Sequence, residues 1–205
     1  MPVSEIRGAI LAGGAARRYG GVRKGLLEVG GRRILDRVAS AVASAISAAP
    51  VLVTNDPEAD SWTPGLAVVR DVRPGCGSLG GIYTAVISAP GPVLCVAWDM
   101  PFVTTQLLAA LVRGAPGFDA FLPESNGPRG LEPLCGVYGP ACVPAIERQL
   151  ATGNLAAVGF HGAVRVGTLP LQEVRRSGDP DTLFLNVNSA VDLERAERLR
   201  AERGL

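Results

Sequence analysis

Residues 8–25 read GAILAGGAARRYGGVRKG, and this stretch decides the fold. It opens on the apolar run Ala9-Ile10-Leu11-Ala12, which reads as a buried strand. The run breaks at Gly13-Gly14, passes through the small basic segment Ala15-Ala16-Arg17-Arg18, breaks again at Gly20-Gly21 and delivers Lys24. Glycines let backbone N–H groups converge on a bulky anion, and nearby cationic side chains supply the compensating charge. The spelling is neither a Walker A loop nor a dinucleotide fingerprint: Lys24 lacks the flanking Gly and Ser or Thr, and G-x-G-x-x-G lacks its third glycine. A phosphate cradle is the functional reading, and a plain structural turn is the alternative.

Outward from this loop, strand-length apolar runs alternate with helical patterns. Ile34, Leu35, Val38, Val42 and Ile46 share one face of a helix predicted over 34–49. Strands follow at 51–53 and 66–69, a helix at 78–89, and a central strand at 93–98 that ends in Asp99. Thr104 is placed to cap a helix carrying Leu107, Leu108, Leu111 and Val112. Strands are predicted at 118–122, 134–138 and 163–169, with a helix at 141–150 and a last one entered through Ser189-x-x-Asp192. This β-α-β order predicts a three-layer α/β/α sandwich with a mostly parallel, Rossmann-like sheet, spanning residues 1–205 as a single domain. In such sheets ligands collect outside the carboxyl ends of the strands, so Gly13-Gly14, Asp71 and Asp99 are expected along one edge.

The bulk composition narrows the classes. Net charge is +1, so neither nucleic acid nor an anionic membrane is called for as a partner. No apolar run approaches the roughly 20 residues of a membrane span, and the N-terminal residues lack a signal-peptide layout. Cys76, Cys95, Cys135 and Cys142 have no C-x-x-C spacing, which argues for a reducing cytoplasm and against zinc or a disulfide framework. The single histidine, His161, has no G-x-S-x-G beside it and reads as a surface loop residue rather than a hydrolase base. Trp62 and Trp98 do not interleave with basic residues, so base stacking on a nucleic acid is not indicated.

Asp99 carries the sharpest chemistry. It follows six apolar residues and precedes Met100-Pro101, so a rigid strand presents its carboxylate at the crevice. A hard cation such as Mg²⁺ takes one or two carboxylates plus phosphate oxygens, whereas the bland role is to cap the turn before proline. Asp71 ends a strand before a Val72-Arg73-Pro74-Gly75 turn, and function and turn formation are evenly matched there. Gly77-Ser78-Leu79-Gly80-Gly81 enters a helix, suiting either an anion at its N-terminus or close helix–sheet packing.

The pattern L-A-G-G-x-x-x-R-x-G-x-x-K resembles the signature of nucleotidyltransferases that activate a small molecule with a nucleoside triphosphate, and within them the molybdenum cofactor guanylyltransferases. The D-x-P at Asp99, the G-S-L-G-G segment at 77–81 and F-L-N-V-N-S at 184–189 are similar to further motifs of that family. Tyr19 stands in place of its usual Met, Ser78 in place of a proline, and Ser189-Ala190 in place of Thr-Pro. Glu132 in the 129–134 segment departs from its acceptor-side pattern. The resemblance implies transfer of GMP from GTP to the terminal phosphate of molybdopterin with release of pyrophosphate. It implies catalytic roles for Lys24, Arg18 and Asp99, with Asp99 the magnesium ligand. Nucleotide contacts fall to Leu11, Ala12, Gly13, Gly14, Asn55, Asp71 and Gly80, and acceptor contacts to Asn186 and Asn188. It further implies a monomer or weak oligomer in transient contact with other molybdenum-cofactor proteins. A transferase using CTP or another phosphorylated acceptor is the neighbouring possibility, and a non-catalytic nucleotide-binding adaptor is the one from a different class.

Overall fold

A computed structural model of the chain describes residues 6–13, 23–63 and 65–204. The apolar run after Ile6 forms β1 (Arg7–Leu11), and its register fixes the middle of the sheet. β1 lies parallel to β4 (Val51–Val53) on one side and to β6 (Val93–Ala97) on the other. The sheet continues outward to β5 (Val68–Val69) beyond β4, and to β8 (Cys135–Tyr138), β7 (Ala120–Pro123) and β9 (Val166–Leu169) beyond β6. Among its seven strands, in the order β5-β4-β1-β6-β8-β7-β9, β8 alone runs antiparallel to its neighbours. The amino end of β8 therefore joins the carboxyl ends of the others along one edge. A short hairpin, β2 (Glu28–Val29) and β3 (Arg32–Arg33), leads into α1 (Ile34–Ile46).

The period-two alternation of the central strands builds both cores. Ala9, Leu11, Val93 and Cys95 face α2 (Gly77–Ile87) and α4 (Val143–Ala151), packing with Leu79, Ile82 and Ile146. Ile10, Leu52, Leu94 and Val96 face the other way, onto α1 and α3 (Thr105–Gly114). Leu35, Val38, Leu107 and Leu111 complete that layer, each with no solvent exposure (0%). Burying one such side chain fully contributes about 1.5–3 kcal/mol, so these two layers dominate the favourable side of folding.

The short α5 (Leu171–Arg175) and α6 (Pro180–Leu183) lead to α7 (Ala190–Arg203), which packs Ala196 and Leu193 against the α1 layer. Ser189 caps α7: its Oγ accepts the Asp192 N–H at 3.2 Å and donates to the Asp192 carboxylate at 2.8 Å. Thr104 caps α3 likewise, accepting from the Leu107 amide at 3.2 Å. The expected mostly parallel α/β architecture is present, with shorter elements at several ends. α1 stops at Ile46 instead of 49 because Ser47 takes a left-handed conformation, φ 56°, which terminates a helix. His161 lies on a single 3-10 turn, half-buried with its ring edge-on to Phe160 at 4.8 Å, so it is less exposed than a loop residue would be. Among the described residues no helix is long and apolar enough to cross a membrane.

Candidate active site

The edge where the parallel strands end carries two adjoining cavities. One, of about 400 Å³, is lined by Leu11, Gly13, Lys24, Asp99, Asn186 and Asn188, among others. The other, of about 460 Å³, takes in Ala12, Gly13, Asn55, Asp56, Asp71 and Trp62. Gly13, Gly77, Gly81 and Trp98 border both, so the two form a continuous trough across the ends of β5, β4, β1 and β6. Backbone hydrogen bonds extend the strands into it: Ala12 N–H to Val53 O at 3.0 Å, Thr54 N–H to Val69 O at 3.0 Å and Trp98 N–H to Leu11 O at 3.2 Å.

The residues that meet here come from both ends of the chain. Lys24 begins a 3-10 turn at Lys24–Leu26, and its Nζ donates to Asn188 Oδ1 at 2.6 Å. The tail is held in place by the buried Val187, whose N–H donates to the Asp99 carbonyl at 2.9 Å. Asn186 is folded back on itself, its side-chain amide donating to Phe184 O at 3.0 Å. Burial holds the half-buried Asp99 carboxyl above its ordinary range, and the nearby Lys24 charge pulls it the other way. Burial also raises Glu132, the amide of Leu134 and the Arg129 charge oppose that, and the Asp99 charge adds to it. The two carboxylates thus sense each other across the junction of β6 and β8, where Ala97 N–H donates to Leu134 O at 2.8 Å, although only Asp99 borders the trough.

Asp71 and Asn55 stitch the trough's far end. Asn55 Oδ1 accepts the Asp71 N–H at 2.9 Å, while Asp71 Oδ1 accepts from Thr84 Oγ at 2.7 Å and the Arg73 amide at 3.0 Å. Gly80 does not border either cavity; a Cβ there would sit 3.0 Å from Arg73 O and 3.3 Å from Asp71 Oδ2, so its place is in the packing behind Asp71. Gly14 and Arg18 lie outside the described residues. Sequence reasoning passed over the trough's aromatic wall. Trp62 stacks on Trp98 with centroids 5.5 Å apart, and the Arg23 guanidinium lies 5.5 Å above the Trp62 ring. Arg23 also pairs with Asp56 at 2.9 Å and Glu58 at 3.0 Å, which holds the Asp56 carboxyl below its ordinary range. The available signal was the position of Asp56 three residues past the end of β4 and of Arg23 immediately before Lys24.

The donor set suits a hard cation in one respect. Asp99 offers oxygen ligands in a half-buried setting where a negative charge is disfavoured and a cation would relieve it. Among the described residues no group of three or more His, Cys, Asp or Glu converges on a metal position. Protein ligands alone would therefore not complete a coordination shell there, and phosphate oxygens or water would have to, as Mg²⁺ commonly requires. Burial raises the thiols of Cys95 and Cys135, and Cys142 is pushed up to about 11, so none of the three is a reactive thiolate.

The model of the family described as MobA-like NTP transferase domain matches residues 8–164. A protein named "Probable molybdenum cofactor guanylyltransferase" from Pelotomaculum thermopropionicum is 36% identical over 97% of this chain and 94% of its own length. A molybdenum cofactor guanylyltransferase from Desulfosudis oleivorans is 35% identical over 95% of this chain and 96% of its own. The crystal structure of molybdopterin-guanine dinucleotide biosynthesis protein A from Archaeoglobus fulgidus superposes with a TM-score of 0.80. It is 26% identical and covers 96% of this chain and all (100%) of its own.

Proposed function

Since the chain belongs to the family of MobA-like NTP transferase domains, we propose that it transfers GMP from GTP to the terminal phosphate of molybdopterin and releases pyrophosphate. One observation carries the reading: Lys24 and Asp99, 75 positions apart in sequence, open onto the same cavity together with Asn186 and Asn188. A cation and a carboxylate so placed suit a triphosphate and its metal ion.

In this reading an oxygen of the acceptor's phosphate forms the new bond to the α-phosphorus of GTP. The bond from the α-phosphorus to the bridging oxygen breaks, and its electron pair leaves with pyrophosphate. The attacking oxygen is already ionised at neutral pH, so no side chain has to remove a proton. What remains for the protein is positioning and charge neutralisation. Lys24 leaves Asn188 and turns its ammonium to the phosphates, Arg18 being the second cation that the family pattern assigns to them; Asn188 and Asn186 then turn their amides to the acceptor phosphate. The nucleoside lies in the trough beside Asn55 and Asp71, against the Trp62–Trp98 wall. Asp99 would hold Mg²⁺, which when bound supplies positive charge to the phosphate oxygens. The four cysteines are free thiols, in keeping with work in a reducing cytoplasm.

The test is a panel of GTP, CTP, ATP and UTP offered with molybdopterin and Mg²⁺, with pyrophosphate release as readout. GTP should be used in clear preference and yield the guanine dinucleotide. Turnover with CTP instead, or nucleotide binding with no pyrophosphate from any of the four, would sink the proposal.

A further inference from the structure

A third cavity, of about 510 Å³, opens beside the trough, sharing Ser78 and Leu134 with the chamber that holds Lys24 and Asp99. Its walls come from the segment joining β7 to β8, from the start of α2 and from residues 155–157. Leu131, Leu134 and Leu155 give it apolar surface, and Leu155 is 42% exposed, unusual for a large aliphatic side chain. Glu132 is its one acidic lining residue and Arg129 its one basic one, with no hydrogen bond between them.

Nothing in the mechanism above uses Glu132, yet its backbone is pinned. Its N–H donates to Pro123 O at 3.1 Å, and its carbonyl accepts from Cys135 N–H at 3.3 Å. The side chain is oriented as well, because Oε1 accepts the Leu134 amide at 3.1 Å. Oε2 makes no hydrogen bond among the described residues. Two other carboxylates near the trough are committed: Asp56 receives both Nε and a terminal nitrogen of Arg23, and Asp71 receives Thr84 and Arg73. Glu132 instead keeps acceptor capacity on both oxygens, since one hydrogen bond leaves Oε1 a further lone pair. A half-buried carboxylate with free acceptor sites in a cavity of mixed lining suits a ligand with paired donors.

We infer that Glu132 is a specificity residue for the acceptor, receiving the two adjacent N–H donors of a fused 2-amino-4-oxopyrimidine ring, the edge that a pterin presents. Leu131, Leu134 and Leu155 offer the ring its apolar contacts, and the tail of the ligand carries its phosphate past Ser78 and Leu134 toward Asp99. The inference rests on the proposed function for the direction from which the acceptor enters, but it is tested on the ring alone.

The probes are pterin and lumazine, fluorescent pteridines that differ at position 2, where pterin has an amino donor and lumazine a carbonyl acceptor. Glu132→Gln is the informative variant, because its amide oxygen still receives the Leu134 N–H while its amino group replaces an acceptor with a donor. The wild-type protein should bind pterin at least about tenfold more tightly than lumazine, the scale of leaving a buried polar group unpaired. Glu132→Gln should lose or reverse that ratio while binding GTP with unchanged Kd. In the full reaction the same variant should raise the KM for molybdopterin more than it lowers kcat. The same pterin-to-lumazine ratio in both proteins, or no pterin binding by wild type, overturns the inference. Failure of GMP transfer with the pterin preference intact would instead count against the proposed function alone.

Discussion

The aromatic wall of the trough is pinned from behind by a glycine, and Gly25→Ala measures how firmly. Gly25 is buried next to Lys24 on the 3-10 turn. A Cβ added there would fall 2.3 Å from Cε3 and 2.7 Å from Cδ2 of Trp98. Ordinary contact begins near 3.4 Å, so the indole or the turn must retreat by about 1 Å. Trp98 is only 9% exposed and stacked on Trp62, so it cannot swing into solvent. Overpacking of this kind costs about 1–3 kcal/mol, and disturbing an aromatic pair about 0.5–1.5 kcal/mol more. At about 2–4 °C per kcal/mol for a chain of this size, the melting temperature should fall by roughly 3–18 °C. Circular dichroism gives the melt, and titration with GTP gives a weakened Kd because Lys24 moves with the turn. Trp98→Phe in the same chain removes the fused ring atoms nearest the new methyl and should recover part of the loss, a coupling that independent sites would not show. A Gly25→Ala protein that melts with wild type would refute the argument that this turn and this indole are locked together.

Asp99→Asn should trade activity for stability, and the sign follows from burial. A carboxyl raised in the folded state stabilises the fold below its unfolded value near 3.8, and that contribution is lost as pH rises through the folded value. At neutral pH the ionised Asp99 therefore weakens the metal-free protein. Asp99→Asn should melt higher than wild type there, with the gap closing in acid, and it should lose GMP transfer; a lower melt at neutral pH would contradict the assignment of burial as the cause. Lys24→Ala should lower kcat by about 10²–10³ with the melting curve unchanged, and near-normal turnover would remove Lys24 from the catalytic set. Ser189→Ala deletes the cap that receives the Asp192 amide. It should cost about 1 kcal/mol, read as a lower urea midpoint at constant slope.

The sheet was legible because both periodicities were strong where they mattered. The runs at 9–12, 51–53 and 93–98 are too short for helices and too apolar for anything but buried strands, and the caps Thr104 and Ser189 mark helix starts at the observed positions. The edge on which Gly13, Asp71 and Asp99 would sit followed from strand order, since parallel strands end on the same side. What stayed illegible depends on contacts between segments far apart. The pairing of Arg23 with Asp56 spans 33 positions and the Lys24 contact with Asn188 spans 164, and no local pattern encodes either. The Trp62–Trp98 stack was hidden for a related reason: each tryptophan looked isolated in its own segment, and only the approach of the β4 and β6 ends brings them together.

The way charge is distributed gives the tail a part in the proposed site. Arg23 is consumed by Asp56 and Glu58 at one end of the trough, so it neutralises protein charge and is not free for a phosphate. At the other end Asp99 and Glu132 share a partly buried region in which each is raised by burial and Glu132 further by the Asp99 charge. Of the described cations, Lys24 is the one that borders the cavity holding Asp99, and its hydrogen bond goes to Asn188, a neutral group. A neutral partner keeps the ammonium oriented while leaving its charge unspent, where a carboxylate in that position would hold it against any incoming phosphate. Asn188 is in turn placed by its N–H to Asp192 at 3.0 Å and by Val187 on Asp99. In the proposed reaction the last helix acts through its first turn, where Asp192 holds Asn188 so that the lysine meets an amide and not an acid.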